Sequence, residues 1–356
     1  MKFRKIGVLT SGGDAPGMNA SVRAVVRTAI ENGIEVVGIY GGYHGLIYDN
    51  VKPLTARDVS NCISRGGTFL LTDRCDEFKT PEGMAKAIET CKKHEIDAIV
   101  AIGGDGTFRG ATDLTNHGIP TIGVTGTIDN DISATDYTVG FDTAMNTVVE
   151  IVDRLRDTGE SHARCLVTEV MGRHCGEIAL LTGLASGAVA IAIPEIEFDE
   201  EACIEKMSDL RAKGKRNFQI IVSEGVGGIG NGFGEKLAKK IEERTGIESR
   251  YNCLGHIIRG GDPTLRDRVA ATRMGTKAVD LLIEGKSNLV VCEIDSEIVP
   301  VDINYSFVLD KMYKNKLKDG DLDAYSPEQI ADMEAICERK RAYVRELYDL
   351  ANAIAK

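Results

Sequence analysis

Tryptophan is absent from this sequence, and aromatic residues make up only 5% of it. The core must therefore be aliphatic. None of the nine cysteines forms a C-x-x-C pair. That removes the usual zinc and dithiol signatures and points to reduced thiols in a reducing compartment. No stretch reaches the ~18 apolar residues of a membrane span, so no membrane partner is expected. The start, MKFRKIGVLTSGG, is basic, but its apolar run is too short for a signal peptide, and the expected location is cytoplasmic. Dense Lys/Arg blocks are missing and the formal net charge is −11, which argues against nucleic acid as a partner. There is no repeat with a period of roughly 20–50 residues. There is also no low-complexity linker, so composition alone does not show a domain boundary. A helix-rich span near 140–157 is the candidate crossing point.

What the chain does have is aliphatic sequence and glycine. Its 356 residues, 43% apolar and with 39 glycines, suit two domains or one large α/β unit. Short β-branched runs alternate with helical patterns. KIGVLT (5–10) reads as a buried strand, followed by a glycine loop and a helix from Met18 to Glu31. Further strands are read at IEVVGIY (34–40), DAIVAI (97–102), PTIGV (120–124), ARCLVTEV (163–170), AVAIAIP (188–194), FQIIVSE (218–224) and NLVVCEI (288–294). This βαβ rhythm predicts a parallel sheet covered on both faces. Near the end, SPEQ (326–329) is a capping box with Ser326 as cap and Gln329 reaching back. Beyond it, Ile330, Met333, Cys337, Val344, Leu347, Ala351 and Ile354 follow a three-four spacing interrupted by Lys340. That seam fits a helix docked on its own domain or a coiled-coil contact with another subunit, docking being the simpler reading over so few heptads.

Glycine or acidic clusters follow several of these strands: TSGGDAPG (10–17), GGDGT (103–107), TGTIDND (125–131), VMGRHCG (170–176) and SEGVGG (223–228). In an open parallel sheet the carboxyl ends of the strands share one edge, and ligands bind there. Gly12 and Gly13 precede a helix whose first amides suit an anion, though a plain turn needs the same glycines. In GGDGT, backbone amides can face phosphates while Asp105 meets a metal ion or caps the next helix. It is not a dinucleotide fingerprint, because Gly110 falls one place late. Nor is GKS (285–287) a Walker loop, since Asp280 stands where its first glycine belongs.

GTIDNDI (126–132) places Asp129 and Asp131 at the end of an apolar run, where neighbouring carboxylates repel and lose hydration. An Asx-turn would explain one aspartate but not the whole motif. Phosphoryl transfer explains both. One carboxylate takes the proton of the attacking hydroxyl, and others stand near Mg²⁺, whose charge makes such crowding tolerable. Arg74, Arg164, Arg173, Arg250 and Arg259 lie in or beside loops, with His256 in LGHIIRGG. Singly, each is a surface arginine; together they suit a sugar phosphate. Met171 fits core packing or an apolar wall against a sugar face.

Together GVLTSGGDAPGMNA, GGDGT, GTIDNDI, VMGRHCG and LGHIIRGG closely resemble the phosphofructokinase family of glycolysis, in order from residue 5 to about 320. The resemblance implies two Rossmann-like three-layer α/β/α domains with largely parallel sheets and an active site in the cleft between them. The larger, nucleotide-binding domain would take 1–139 plus 257–308, and the smaller, sugar-phosphate domain 140–256 plus 309–325. Residues 326–356 would be a helical extension with no assigned role. The implied reaction phosphorylates the C1 hydroxyl of fructose 6-phosphate, with ATP and Mg²⁺ as cofactors. Gly13, Tyr43, Arg74, Cys75, Gly104, Asp105, Gly106 and Thr107 would hold the nucleotide, Asp105 being the metal residue. Thr127 and Asp129 would lie at the reacting hydroxyl with Asp129 as base, Asp131 in support and Arg173 at the transferring phosphoryl group. Ile128, Met171, Gly172, Glu224 and His256 would contact the sugar, and Arg259 its phosphate. Arg164 and Arg250 would reach the substrate from a neighbouring subunit, so the site needs at least a dimer, and the family's bacterial pattern is a homotetramer.

Pyrophosphate-using members of that family typically carry Asp at the place of Gly106 and Lys at that of Gly126. A carboxylate at 106 would crowd and repel the nucleotide's α-phosphate, while the two glycines leave room for ATP. Arg23, Arg27, Arg156, Lys213 and Lys215 match a basic effector site for ADP or phosphoenolpyruvate. Ala56 and Val189 replace an arginine and a glutamate of that site, which implies weakened or altered effector control. The rival readings are a pyrophosphate-dependent enzyme, an NAD or lipid kinase sharing GGDGT, and a nucleotide sensor without turnover. Neither NAD nor lipid kinases have the GTIDND and GHIIRGG context, and no loss of Asp105, Asp129 or Arg173 supports a sensor.

Overall fold

The computed structural model describes residues 3–355. Met1, Lys2 and Lys356, which belong to the basic start and the tail read above, lie outside the described residues. The chain begins with β1 (Lys5–Thr10), α1 (Met18–Glu31), β2 (Glu35–Ile39), α2 (Gly42–Ile47) and β3 (Val51–Leu54). It continues with α3 (Pro81–Lys93), β4 (Ala98–Gly103), α4 (Asp105–Asn116), β5 (Thr121–Thr125) and the long α5 (Phe141–His162). Then come β6 (Cys165–Val170), α6 (Glu177–Ala185), β7 (Ala190–Ala192), α7 (Glu200–Ala212), β8 (Phe218–Ser223), α8 (Phe233–Thr245) and β9 (Ser249–Cys253). The last elements are α9 (Leu265–Ile283), β10 (Leu289–Ile294), β11 (Glu297–Asp302), α10 (Ile303–Tyr313) and α11 (Pro327–Ile354).

These elements form two compact units. The first takes Met1–Ile128, Ile132–Thr143 and Arg259–Ile330, and the second takes Asp129–Asp131, Ala144–Ile258 and Ala331–Lys356. The first holds a seven-stranded sheet in the order β11-β10-β5-β4-β1-β2-β3. Its five inner strands are parallel, and β3 and β11 close the edges antiparallel. Each edge strand carries a proline, Pro53 opposite Val37 and Pro300 opposite Val291. Proline cannot donate to a ladder, so such residues end a sheet. The central β4, AIVAIG, is buried at every position, as a strand covered on both faces must be.

The second unit holds a four-stranded parallel sheet in the order β7-β8-β6-β9. Its core gathers Val167, Val189, Ile220, Val222, Met207, Leu237 and Ile241, with Phe218 its one buried aromatic. α/β architecture and an aliphatic interior were both expected from the sequence. Three strand readings need correction. AVAIAIP pairs only over Ala190–Ala192, and the runs at 34–40 and 163–170 are shorter than read. Three strands escaped the pattern altogether. β3 and β11 are half-exposed edges, and β9 is largely polar.

The capping box forms as expected: the Ser326 N–H donates to the Gln329 side-chain oxygen (3.0 Å), and the Gln329 N–H to the Ser326 hydroxyl (3.3 Å). α11 then buries Met333, Cys337, Val344 and Ala351. The seam is thus docked within its own chain, as the simpler reading held. Ile354 departs from it and is 59% exposed, because the helix ends there.

A buried carboxylate fastens the first unit where the chain leaves it. Asp267, fully buried near the start of α9, accepts from the Tyr137 hydroxyl (2.5 Å), the Gly140 N–H (2.6 Å), the Thr143 N–H (2.9 Å) and the Thr143 hydroxyl. Burial pushes its carboxyl up, against the pull of these donors. Asp267→Ala would leave several buried donors without an acceptor, at a cost of at least ~3 kcal/mol. A clear fall in the unfolding midpoint is expected, and an unchanged midpoint would refute this account.

Candidate active site

In the first unit, β1 and β4 are neighbours, and the strands that follow them lie on opposite sides. This is the switch point of a doubly wound sheet, where the loops after the strands diverge and leave a crevice. There the Ser11 N–H donates to the Ile102 carbonyl (3.0 Å) and the Thr107 hydroxyl to the Ser11 carbonyl (3.0 Å). Tyr43 is buried, stacks on Phe78 with centroids 4.2 Å apart, and donates its hydroxyl to the Thr107 carbonyl (2.5 Å). The Thr72 hydroxyl holds the Gly12 carbonyl (2.7 Å), which draws the loop of exposed Arg74 and half-buried Cys75 to the same rim. The loops of Gly13, Tyr43, Arg74, Cys75 and Gly104–Thr107 are thus tied together by hydrogen bonds. α4 starts at Asp105 with Gly104 as its cap, so its first amides face outward as an anion-binding end.

Asp105 and three other residues read from the sequence, Arg259, Thr127 and Ile128, also lie in this unit. The Asp105 carboxylate is half-exposed and pairs with Arg109 (3.1 Å). Arg259 ends a short 3-10 turn, Gly255–Arg259; its Nε reaches Asp14 Oδ1 (3.2 Å), and its guanidinium lies against Gly13. Thr127 follows β5, its carbonyl held by the Thr138 hydroxyl (2.6 Å). Ile128 beside it is fully buried and so offers only its backbone to a ligand.

The two donor-setting glycines differ. A Cβ at Gly106 would meet nothing within 4 Å. At Gly126 it would press on Ile102 (3.1 Å) and Met18 (3.2 Å), so that glycine answers first to packing rather than to room for a ligand.

In the second unit, the acidic motif meets the loop after β6. Asp129 is buried, and its Oδ2 lies 3.4 Å from Arg173 Nε. Arg173 has a left-handed backbone (φ 53°), its N–H donates to Glu224 Oε1 (3.0 Å), and its carbonyl occupies the space a side chain at Gly225 would need. Glu224 follows β8. Met171 is half-buried and Gly172 buried beside them, Asp131 is half-buried, and His256 is exposed.

Arg164 and Arg250 stand elsewhere. Both pair with Glu248, Arg164 at 2.9 Å. Arg164 precedes β6, and Arg250 pairs with Leu166 near the start of that strand. Arg173 follows its other end, about 17 Å away along six residues of strand.

The basic residues matched to an effector site divide between the units. Arg23 and Arg27 lie on α1, while Arg156, on α5, donates to the Ser186 carbonyl, and Lys213 and Lys215 follow α7. Val189, read from the sequence as replacing a glutamate of that site, is buried in the core.

Two contributors were missed in the sequence: Glu177, which accepts from the Asn130 side chain (2.7 Å), and the left-handed turn at Asn130 itself (φ 49°). The available signal was the asparagine between two aspartates, since asparagine tolerates that conformation best after glycine.

The family model described as Phosphofructokinase matches residues 5–282. An ATP-dependent 6-phosphofructokinase of Halalkalibacterium halodurans is 54% identical over 301 residues, covering 85% of this chain and 93% of its own. One of Clostridium botulinum is 51% identical over 317 residues, covering 89% and 98%. Among solved structures, phosphofructokinase from Saccharomyces cerevisiae is similar with a TM-score of 0.83 and 35% identity, over 94% of this chain and 50% of that one.

Proposed function

The chain belongs to the phosphofructokinase family, and on that premise we propose that it transfers the γ-phosphoryl group of ATP to the C1 hydroxyl of fructose 6-phosphate, giving ADP and fructose 1,6-bisphosphate. The observation that carries the reading is the pairing of buried Asp129 with the exposed Arg173, a carboxylate held 3.4 Å from a guanidinium. Asp129 takes the hydroxyl proton as the oxygen attacks. Arg173, on releasing the carboxylate, turns its charge to the phosphoryl oxygens in transit. Arg259 grips the 6-phosphate, and Met171, Gly172, Glu224 and His256 line the sugar. Thr127 and Asp131 support the reacting hydroxyl.

Asp105 fits a nucleotide-borne Mg²⁺ better than a resident ion. Among the described residues no group of three His, Cys, Asp or Glu could hold a metal by itself. Mg²⁺ is commonly held by one or two carboxylates together with substrate phosphates and water. Bound there, it would neutralise charge on the terminal phosphates. The outward amides of α4 and the open space at Gly106 support ATP as donor.

Arg164 and Arg250 lie a strand's length from Arg173 in the same unit, which supports their service to a neighbouring copy. The reading is therefore an enzyme of at least two subunits, with the tetramer of the bacterial pattern as the proposed assembly. Nine free thiols fit a reducing, cytoplasmic setting, and no helix among the described residues is long and apolar enough to cross a membrane.

A coupled assay on the purified protein tests the reading. ATP with fructose 6-phosphate should release ADP, pyrophosphate should replace ATP poorly, and NAD or lipid in place of the sugar should give no turnover. Equal rates with pyrophosphate would overturn the choice of donor.

A further inference from the structure

We propose that Glu177 is a positioning residue: by holding the Asn130 side chain it fixes the turn that aims Asp129 at Arg173. The inference rests on the reading of Asp129 as base. Asn130 is 5% exposed and has a left-handed backbone (φ 49°). For a residue with a Cβ that conformation costs about 1–2 kcal/mol and persists only where its surroundings impose it. A side-chain hydrogen bond supplies such a restraint. The Asn130 amide donates to Glu177 Oε2 at 2.7 Å. Glu177 is itself fixed, because it opens α6, where the helix dipole favours a carboxylate.

The other half of the pair is built the same way. Arg173 is also left-handed (φ 53°), and its N–H is held by a carboxylate, Glu224 Oε1 at 3.0 Å. The two reacting side chains thus come from two turns of unfavourable conformation, each held in part by a glutamate. The two turns also meet directly, since the Cys175 thiol lies 3.9 Å from the Asn130 carbonyl. Glu195 stiffens the same corner by accepting the Gly176 N–H at 2.8 Å, one residue before Glu177. Loss of the Asn130–Glu177 bond removes one restraint on the left-handed turn and favours its rotation toward a right-handed one. That rotation moves the Asp129 carboxylate off its line to Arg173.

Four variants test this, with unfolding midpoints recorded for each: Glu177→Ala, Glu177→Gln, Asn130→Ala and Glu177→Ala/Asn130→Ala. Misplacing a catalytic group by an ångström costs up to about 10²-fold, so Glu177→Ala should lower kcat by about tenfold or more. KM for both substrates should stay within about threefold, because no substrate contact is removed. Glu177→Gln keeps an acceptor oxygen and should recover most of the rate. Asn130→Ala should resemble Glu177→Ala, and the double variant should be no worse than either single one, as for two ends of one contact. A merely structural role would lower the midpoint and leave kcat per folded molecule unchanged. That result, or additive losses in the double variant, overturns the proposal. Asp129→Ser run alongside separates the two readings. If Asp129→Ser is nearly inactive while Glu177→Ala turns over normally, only the positioning role fails. If Asp129→Ser turns over normally, the assignment of the base fails first.

Discussion

Asp129→Ser should lower kcat at least ~10²-fold while leaving the KM for fructose 6-phosphate nearly unchanged. Serine keeps a small polar group in the turn but cannot accept the hydroxyl proton at neutral pH. Loss confined to kcat is the mark of an interaction made in the transition state. Asp129 is 4% exposed and faces Arg173, so the substitution also leaves a guanidinium without its carboxylate, and that cation remains available to phosphate oxygens. Steady-state kinetics over both substrates measure the effect. Turnover within a few-fold of the parent enzyme would place the base on another residue.

Gly106→Asp should have the next largest effect, and on the donor alone. A Cβ at 106 meets nothing within 4 Å, so the variant is expected to fold normally. It would put a second carboxylate next to Asp105, in the first turn of α4, where the amides otherwise favour an anion. Two like charges about 4 Å apart at an effective dielectric of about 20 repel by roughly 4 kcal/mol, a loss of several hundred-fold in kcat/KM for ATP. The KM for fructose 6-phosphate should move little. ATP kinetics unchanged by the substitution would mean that residue 106 does not face the donor.

The strands that carry this chemistry could be read because they are buried on both faces and so appear as unbroken aliphatic runs. α1 was legible at both ends, Met18 and Glu31, where a glycine loop gives way to a periodic pattern and the pattern stops. β9 was not legible. Its sequence, SRYNC, lies at a sheet edge with one buried residue and carries Arg250 outward, so no alternation marks it. The Asp129–Arg173 pair is a tertiary fact. Neither residue's spacing points to the other, and only the family resemblance joined them. Glu177 was hidden for a different reason. A glutamate at the start of a helix is ordinary there, and nothing in the sequence says that it also faces the chain at residue 130. Gly126 shows the converse, since its identity reads as a ligand feature but its neighbours show a close approach of packed side chains.

The order in which the sheet of the first unit is completed bears on how the protein is made. β10 pairs with β5 at Gly123–Val290, yet the whole of β6 to β9 separates them along the chain. As the polypeptide leaves the ribosome, β5 has a neighbour on its β4 side alone until that stretch has been translated. At about 5–20 residues per second the wait is roughly ten to thirty seconds. Through that interval an apolar strand edge lies open to foreign strands. The nascent enzyme is therefore most exposed to aggregation midway through its synthesis, and the risk ends when β10 seals the gap.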